Sequence, residues 1–262
     1  MLGAAEIPVV KLPMQGGAGG KVQVQSVLPG EIAEVTTDWV SITGPAKHVE
    51  PARQDVETVW LVLAGKGTLR TRGKGFEVDS ETIARAPLGW AWELEAPAGR
   101  TLRALRVRHQ VSAADRTELK KFPQNNAGPH VMEFSECPKY GEAIKSSKTV
   151  SRTLLPENYV PRVAMGTVET TGPDEVGAHR HAMLEQLFLG LKDNDITVSA
   201  DGGRGRLTPL SILHIPSGTN HGSEVAAGKK MHYIWMDFFA TKEGQEWLKM
   251  HKPISEPTAG RK

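Results

Sequence analysis

The chain has 262 residues, 39% of them hydrophobic and 24% charged, with 32 Lys plus Arg against 30 Asp plus Glu. The formal net charge of +2 gives too weak a field to draw nucleic acid or anionic lipid, and the apolar content is too high for a disordered chain. One cysteine, Cys137, excludes an internal disulfide and a thiolate zinc site, and it points to a reducing compartment, the cytoplasm.

The N-terminal stretch MLGAAEIPVVKLPMQGGAGG lacks a basic start followed by a long apolar run, so neither a secretory leader nor a membrane span is expected. Gly16, Gly17, Gly19 and Gly20 read as a flexible arm. Beyond it, short runs rich in Val, Ile, Leu and Thr alternate with Gly, Pro, Asn and Asp, the pattern of an all-β sandwich or barrel. From Thr58 to Trp92 the chain reads as an apolar strand, a hairpin, a second strand, a glycine-rich turn and another apolar strand, closed by Pro87, Gly89 and a large side chain. Arg100, Arg103, Arg106 and Arg108 follow among Leu102, Leu105 and Val107, a spacing that reads as the solvated face of a strand. Residues 111–156 are polar, with PQNNAGP and ECPKYGEAIKSSK, and read as an inter-domain connection.

From Glu185 to His221 the same order of strands and turns returns. Immediately before it, in GAHRHAMLEQLFLG, His179 and His181 alternate on a strand, so both imidazoles leave one face, and Glu185 follows near enough to join them. His221 ends PSGTNH, where Pro216 and Gly218 shape a turn able to bring a fourth ligand back to the same interior. Three imidazoles and a carboxylate suit iron, manganese, nickel, cobalt, copper or zinc, and leave coordination positions open for substrate or water. Arg162, His214, His232 and Tyr233 are candidate substrate contacts, with Trp235 and Asp237 on the same strand as Tyr233. Thr241 to His251 reads as a short helix capped by Thr241 and packed through Trp247 and Leu248.

These motifs resemble the cupin superfamily, whose first motif is G-(X)5-H-X-H-(X)3,4-E-(X)6-G and whose second is G-(X)5-P-X-G-(X)2-H-(X)3-N. His179, His181 and Glu185 match the first, and Pro216, Gly218 and His221 the second. The chain departs at Lys192, Ser211 and Val225, which bear on turns and not on ligands. The resemblance implies a bicupin of two tandem jelly-roll barrels: an arm over residues 1–34, an N-terminal barrel over 35–110, a connection over 111–156, a metal-binding C-terminal barrel over 157–240, and a helix and tail over 241–262. Aligned on their turns, the repeats set Ala52 and Gln54 against His179 and His181, Thr58 against Glu185, and Trp92 against His221. His48 and Glu57 stay nearby, with Glu57 one residue out of register. The N-terminal barrel is therefore expected to hold no metal and to be filled by Trp60, Trp90 or Trp92.

The expected function is that of a metal-dependent enzyme acting on a small polar metabolite, with dioxygenase-type oxidation ahead of isomerisation, hydrolysis or decarboxylation and with Glu185 able to take a proton. A non-catalytic ligand-binding or storage-type cupin is the alternative of another class. The partners expected are a small molecule and a second copy of the chain, with neither nucleic acid nor membrane.

Overall fold

The computed structural model of the chain describes residues 7–14 and 20–248. Strands dominate, as the short alternating runs predict, and the described residues include two short α-helices, Ala113–Leu119 and Lys242–Leu248. None of these helices is long and apolar enough to cross a membrane. Thr241 caps the second, its hydroxyl accepting the Gly244 N–H at 3.3 Å. The side chains of Trp247 and Leu248, and His251, lie outside the described residues.

The chain forms two compact units. The first comprises Leu12–Pro138 and Thr153–Ala164. Its larger sheet runs in the order His130–Glu133, Thr82–Arg85, Val56–Ala64, Thr101–Gln110, Val35–Thr43, Lys21–Val27, and its smaller in the order Ala46–Glu50, Trp92–Ala96, Gly67–Thr71, Lys74–Val78. The second unit takes the chain up to Lys11, Lys139–Arg152 and the chain from Met165 onward. Its sheets run Val9–Lys11, Ser211–Ile215, Leu184–Gly190, Lys230–Phe239, Val163–Thr171, Val150–Leu155, Lys139–Tyr140, and Asp174–Arg180, Asn220–Val225, Ile196–Ala200, Gly203–Leu207. Each unit is thus two facing antiparallel sheets, with the smaller sheets and the inner strands of the larger ones in the same order, the jelly-roll arrangement in duplicate.

The cores lie between the sheets. Trp60, Leu69, Trp92 and Leu94 fill the first, and Phe188, Val198, Leu213 and Tyr233 the second. Gly44 and Gly172 mark the same corner in both: a Cβ would stand 2.0 Å from the carbonyl oxygen of Pro97 or of Ala226. No side chain fits at that distance.

Two expectations about organisation give way. The arm is divided, since Val9–Lys11 pairs with Ser211–Ile215 of the second unit while Lys21–Val27 pairs with Val35–Thr43 of the first. The segment read as a connection is built into the units. Its helix Ala113–Leu119 begins at a capping box, in which Ser112 and Asp115 bind each other's backbone N–H. His130–Glu133 pairs with Thr82–Arg85, and Lys145 forms a bridge with Val176. Polar composition marked this segment as loop, but backbone pairing and caps need few apolar residues.

Candidate metal centre

His179 lies on Asp174–Arg180 directly across from His221 on Asn220–Val225, and His181 follows at the strand end. The three offer ligand nitrogens that all lie within 4.8 Å of one another, with ring centroids 4.4 to 5.5 Å apart. Nitrogens bound to one ion at about 2.0–2.1 Å can be at most about 4.2 Å apart, so a small rotation of the rings closes the set. The Nδ1 atoms of His179 and His221 meet the carbonyls of Gly177 at 2.8 Å and Thr219 at 3.0 Å, which fixes each ring and leaves its Nε2 for a ligand role. The Nε2 of His221 is buried without a hydrogen-bond partner. Burial, with His179 alongside, pulls the His221 imidazole down to about 4, so it is neutral and able to donate its lone pair at physiological pH. Residues and protonation both fit a borderline divalent metal.

Glu185 is not brought to the histidines. Along Leu184–Gly190 alternate side chains take opposite faces, and it is Gln186 and Phe188 that line the interior cavity. The Glu185 carboxylate instead accepts from His214 Nε2 at 2.8 Å and from the Ser217 N–H at 3.0 Å. It therefore anchors the turn that carries His221. That turn is held further by the Gly218 N–H donating to the His181 carbonyl at 2.7 Å. Motif spacing of three residues after His181 selects Glu185, and spacing of four selects Gln186, the residue that faces inward. The family motif allows either.

His179 and His181 border a cavity of about 360 Å³ whose other walls include Tyr140, Lys145, Gln186, Tyr233, Trp235 and Asp237. Tyr233, Trp235 and Asp237 alternate on Lys230–Phe239, so the cavity takes one face of that strand and His232 belongs to the other. His214 is held by Glu185 on the outer face. Arg162 is engaged in the first unit, with Asp115 at 3.0 and 2.9 Å and with Glu34 at 2.9 Å. Of the four candidate substrate contacts, Tyr233 alone lines the cavity.

Lys145 and Tyr140 were hidden from the sequence because their segment reads as a linker. Lys145 donates to Ser151 Oγ at 3.0 Å and to the Tyr140 hydroxyl at 3.4 Å, and pairs with Glu142. Asp237 accepts the Gln186 amide at 2.8 Å. Burial pushes its carboxyl up to about 7; the Gln186 amide and Lys145 pull the other way, and Glu142 adds to the push.

The first unit repeats this frame with other residues. Glu50 lies across from Trp92 and Trp92 from Thr71, as His179 lies across from His221 and His221 from Ala200. Trp92 thus stands where His221 does, and Glu50, not Ala52, where His179 does. On the central strands, Val59 pairs with Arg85 and Leu187 with His214, and the glutamate two residues earlier binds that partner in each case. Glu57 is therefore the counterpart of Glu185, and Thr58 of Gln186. The expected one-residue offset arose from aligning on turns; backbone register removes it.

No family model matches the sequence, and no curated protein matches it. Solved structures do match its fold. A cupin 2 conserved barrel domain protein from Leptotrichia buccalis superposes with a TM-score of 0.62 at 11% identity, covering 91% of this chain and 100% of that one. The protein Ylba from E. coli gives 0.63 at 14% identity, covering 91% and 93%. Procruciferin, an 11S globulin from Brassica napus, gives 0.62 at 11% identity, covering 91% and 85%. The chain has the cupin fold in tandem, with a three-histidine cluster in its C-terminal barrel.

Proposed function

We propose that the C-terminal barrel is a metal-dependent active site for a small polar metabolite, with dioxygenase-type oxidation as the leading chemistry. The observation that carries this is a cluster of three convergent histidines, two of which, His179 and His181, line a cavity of about 360 Å³ that has a buried carboxyl among its other linings. When bound, the ion would polarise the substrate's oxygen atoms, and three protein ligands leave it positions for doing so.

The protein's own residues supply the remainder. His179, His181 and His221 would hold the ion, two of them oriented by backbone carbonyls. Phe188, Tyr233 and Trp235 wall off water and receive the apolar part of a substrate. Asp237, poised near neutrality and steadied by Gln186, can take a proton from an enol or hydroxyl and return it. Glu185 keeps the His221 turn in place and takes no proton from substrate.

The test begins with elemental analysis of protein purified without added metal, beside His179→Ala and His221→Ala. Both variants are expected to lose the metal that the parent retains; equal metal in all three removes the site. Oxygen uptake is then measured against catechols, diketones, keto acids and ureido compounds. Turnover that stops on chelation and returns with one metal supports an enzyme, with uptake marking oxidation and substrate loss without uptake marking isomerisation or hydrolysis. Metal retention without turnover of any of these leaves a binding or storage cupin.

A further inference from the structure

The first barrel keeps a cavity in the place that corresponds to the metal pocket of the second. It measures about 160 Å³, and its walls include His48, Glu50, Thr58, Trp92, Arg106 and Arg108. Trp60, Trp90 or Trp92 was expected to fill this interior. Trp60 and Trp92 do meet edge to face in the core, 6.1 Å apart, yet the space beside them stays open.

Its chemistry has been inverted. Register sets Arg108 opposite Thr58 and Arg106 opposite Trp60, where the second barrel sets Asp237 opposite Gln186 and Trp235 opposite Phe188. An acid and an indole are thereby replaced by two guanidinium groups. The solvated-face reading of the arginine run fails at these residues, because both side chains turn to the interior of a barrel.

The two arginines are not equally satisfied. Arg106 donates to Asp38 at 3.2 and 2.8 Å and to Glu50 at 2.7 Å, so its fork is occupied. Arg108 reaches only the same Asp38 oxygen, through a single bond of 3.1 Å, and 32% of its side chain remains exposed. Its Nε is buried without an acceptor. A guanidinium carries five donors in a fork that matches a planar carboxylate, so Arg108 is a cation whose hydrogen-bonding capacity is mostly unused.

We infer that the N-terminal barrel is a second, metal-independent binding site, and that its ligand is a short-chain organic carboxylate held by Arg108 with its carbon chain against Trp92. Size sets the chain length: a cavity of about 150 Å³ accepts benzene, so roughly six heavy atoms fit, the bulk of a three- or four-carbon acid. The wall carboxylates Glu50 and Glu57 are already paired with Arg106 and Arg85, and the guanidinium groups of Arg106 and Arg108 disfavour a divalent cation. Carboxylate geometry favours a planar anion over tetrahedral phosphate, which serves as the competing probe.

The experiment is isothermal titration of the full-length protein with butyrate, pyruvate and inorganic phosphate. It is run on the parent, on Arg108→Gln, on Arg108→Lys, and on a His179→Ala, His221→Ala double variant. Saturable binding of butyrate or pyruvate is expected in the parent and, unchanged, in the double variant. Affinity should fall at least about tenfold in Arg108→Gln, the loss of one charge-assisted pair, and less in Arg108→Lys, which keeps the charge without the fork. Thermal melts of the Arg108 variants confirm folding, which Arg106 supports by retaining Asp38. Three results overturn the inference: no saturable carboxylate binding in the parent, binding that survives Arg108→Gln undiminished, or binding lost with the histidines, which would place the ligand at the metal. Tighter binding of phosphate than of either acid would assign the pocket to another anion and overturn the carboxylate assignment. Because the double variant lacks the metal ligands, failure here and failure of the C-terminal assignment are told apart.

Discussion

Glu57 and Glu185 occupy the same point of two homologous frames, and their surroundings diverge completely. Glu57 is buried and bidentate with Arg85 at 3.2 and 2.6 Å, and Arg85 is also bound by Asn125 and Asn126. Glu185 retains 33% side-chain exposure and meets a histidine and one backbone N–H. The first barrel uses the position to pin its long segment onto the sheet; the second uses it to fix the turn beneath His221. A glutamate at the motif position therefore does not identify a ligand, and the face of the strand decides.

Breaking the first pair gives the largest expected change. Arg85→Met strands a buried carboxylate and should cost about 3–5 kcal/mol in a denaturant titration. A cost below that of Glu185→Gln would deny the contrast between the barrels.

The first unit also contains Asp115, where burial raises the carboxyl but Arg162 and Ser112 outweigh it and hold it at about 2. A folded-state value below the unfolded one means stability that is present at neutral pH and lost as pH falls from about 4 towards 2. Asp115→Asn should therefore melt lower than the parent at pH 7, by about 1–2 kcal/mol after discounting for solvent screening, and the gap should close in acid. A gap that stays constant down to acid pH would mean that the cap's shape, and not its charge, matters.

Gln186→Glu places a carboxylate on the inner face and should tighten divalent metal binding by about tenfold, measured by competition with a chelator. The smallest effect belongs to Glu185→Gln, about 1 kcal/mol of stability with metal content unchanged. Loss of metal in that variant beyond what Glu185→Gln costs in stability would return Glu185 to the ligand set.

The duplicated β order was legible because turn residues and short apolar runs recur at the same spacing, and both are local properties. His179, His181 and His221 were legible because alternation on a strand puts the first two on one face and a Pro-Gly turn returns the third. Gln186 was not, since a bulge between Val176 and His179 and the strand end after Arg180 leave the count between His181 and the next inward position open. Arg162 was assigned to the wrong unit for a related reason: residues 153–164 lie next to the metal motif in sequence but pack with the first barrel.

Sequence alone thus determines the number of barrels, the asymmetry of histidine between them and a histidine set compatible with a metal ion, because residue type and spacing are carried along the chain. Tertiary structure decides which carboxylate or amide faces the cavity and whether Arg106 and Arg108 meet water or a barrel interior. It also draws a linker's lysine to the cavity wall. Each of these depends on strand register and on which sheet covers a given face, and neither is encoded within one strand.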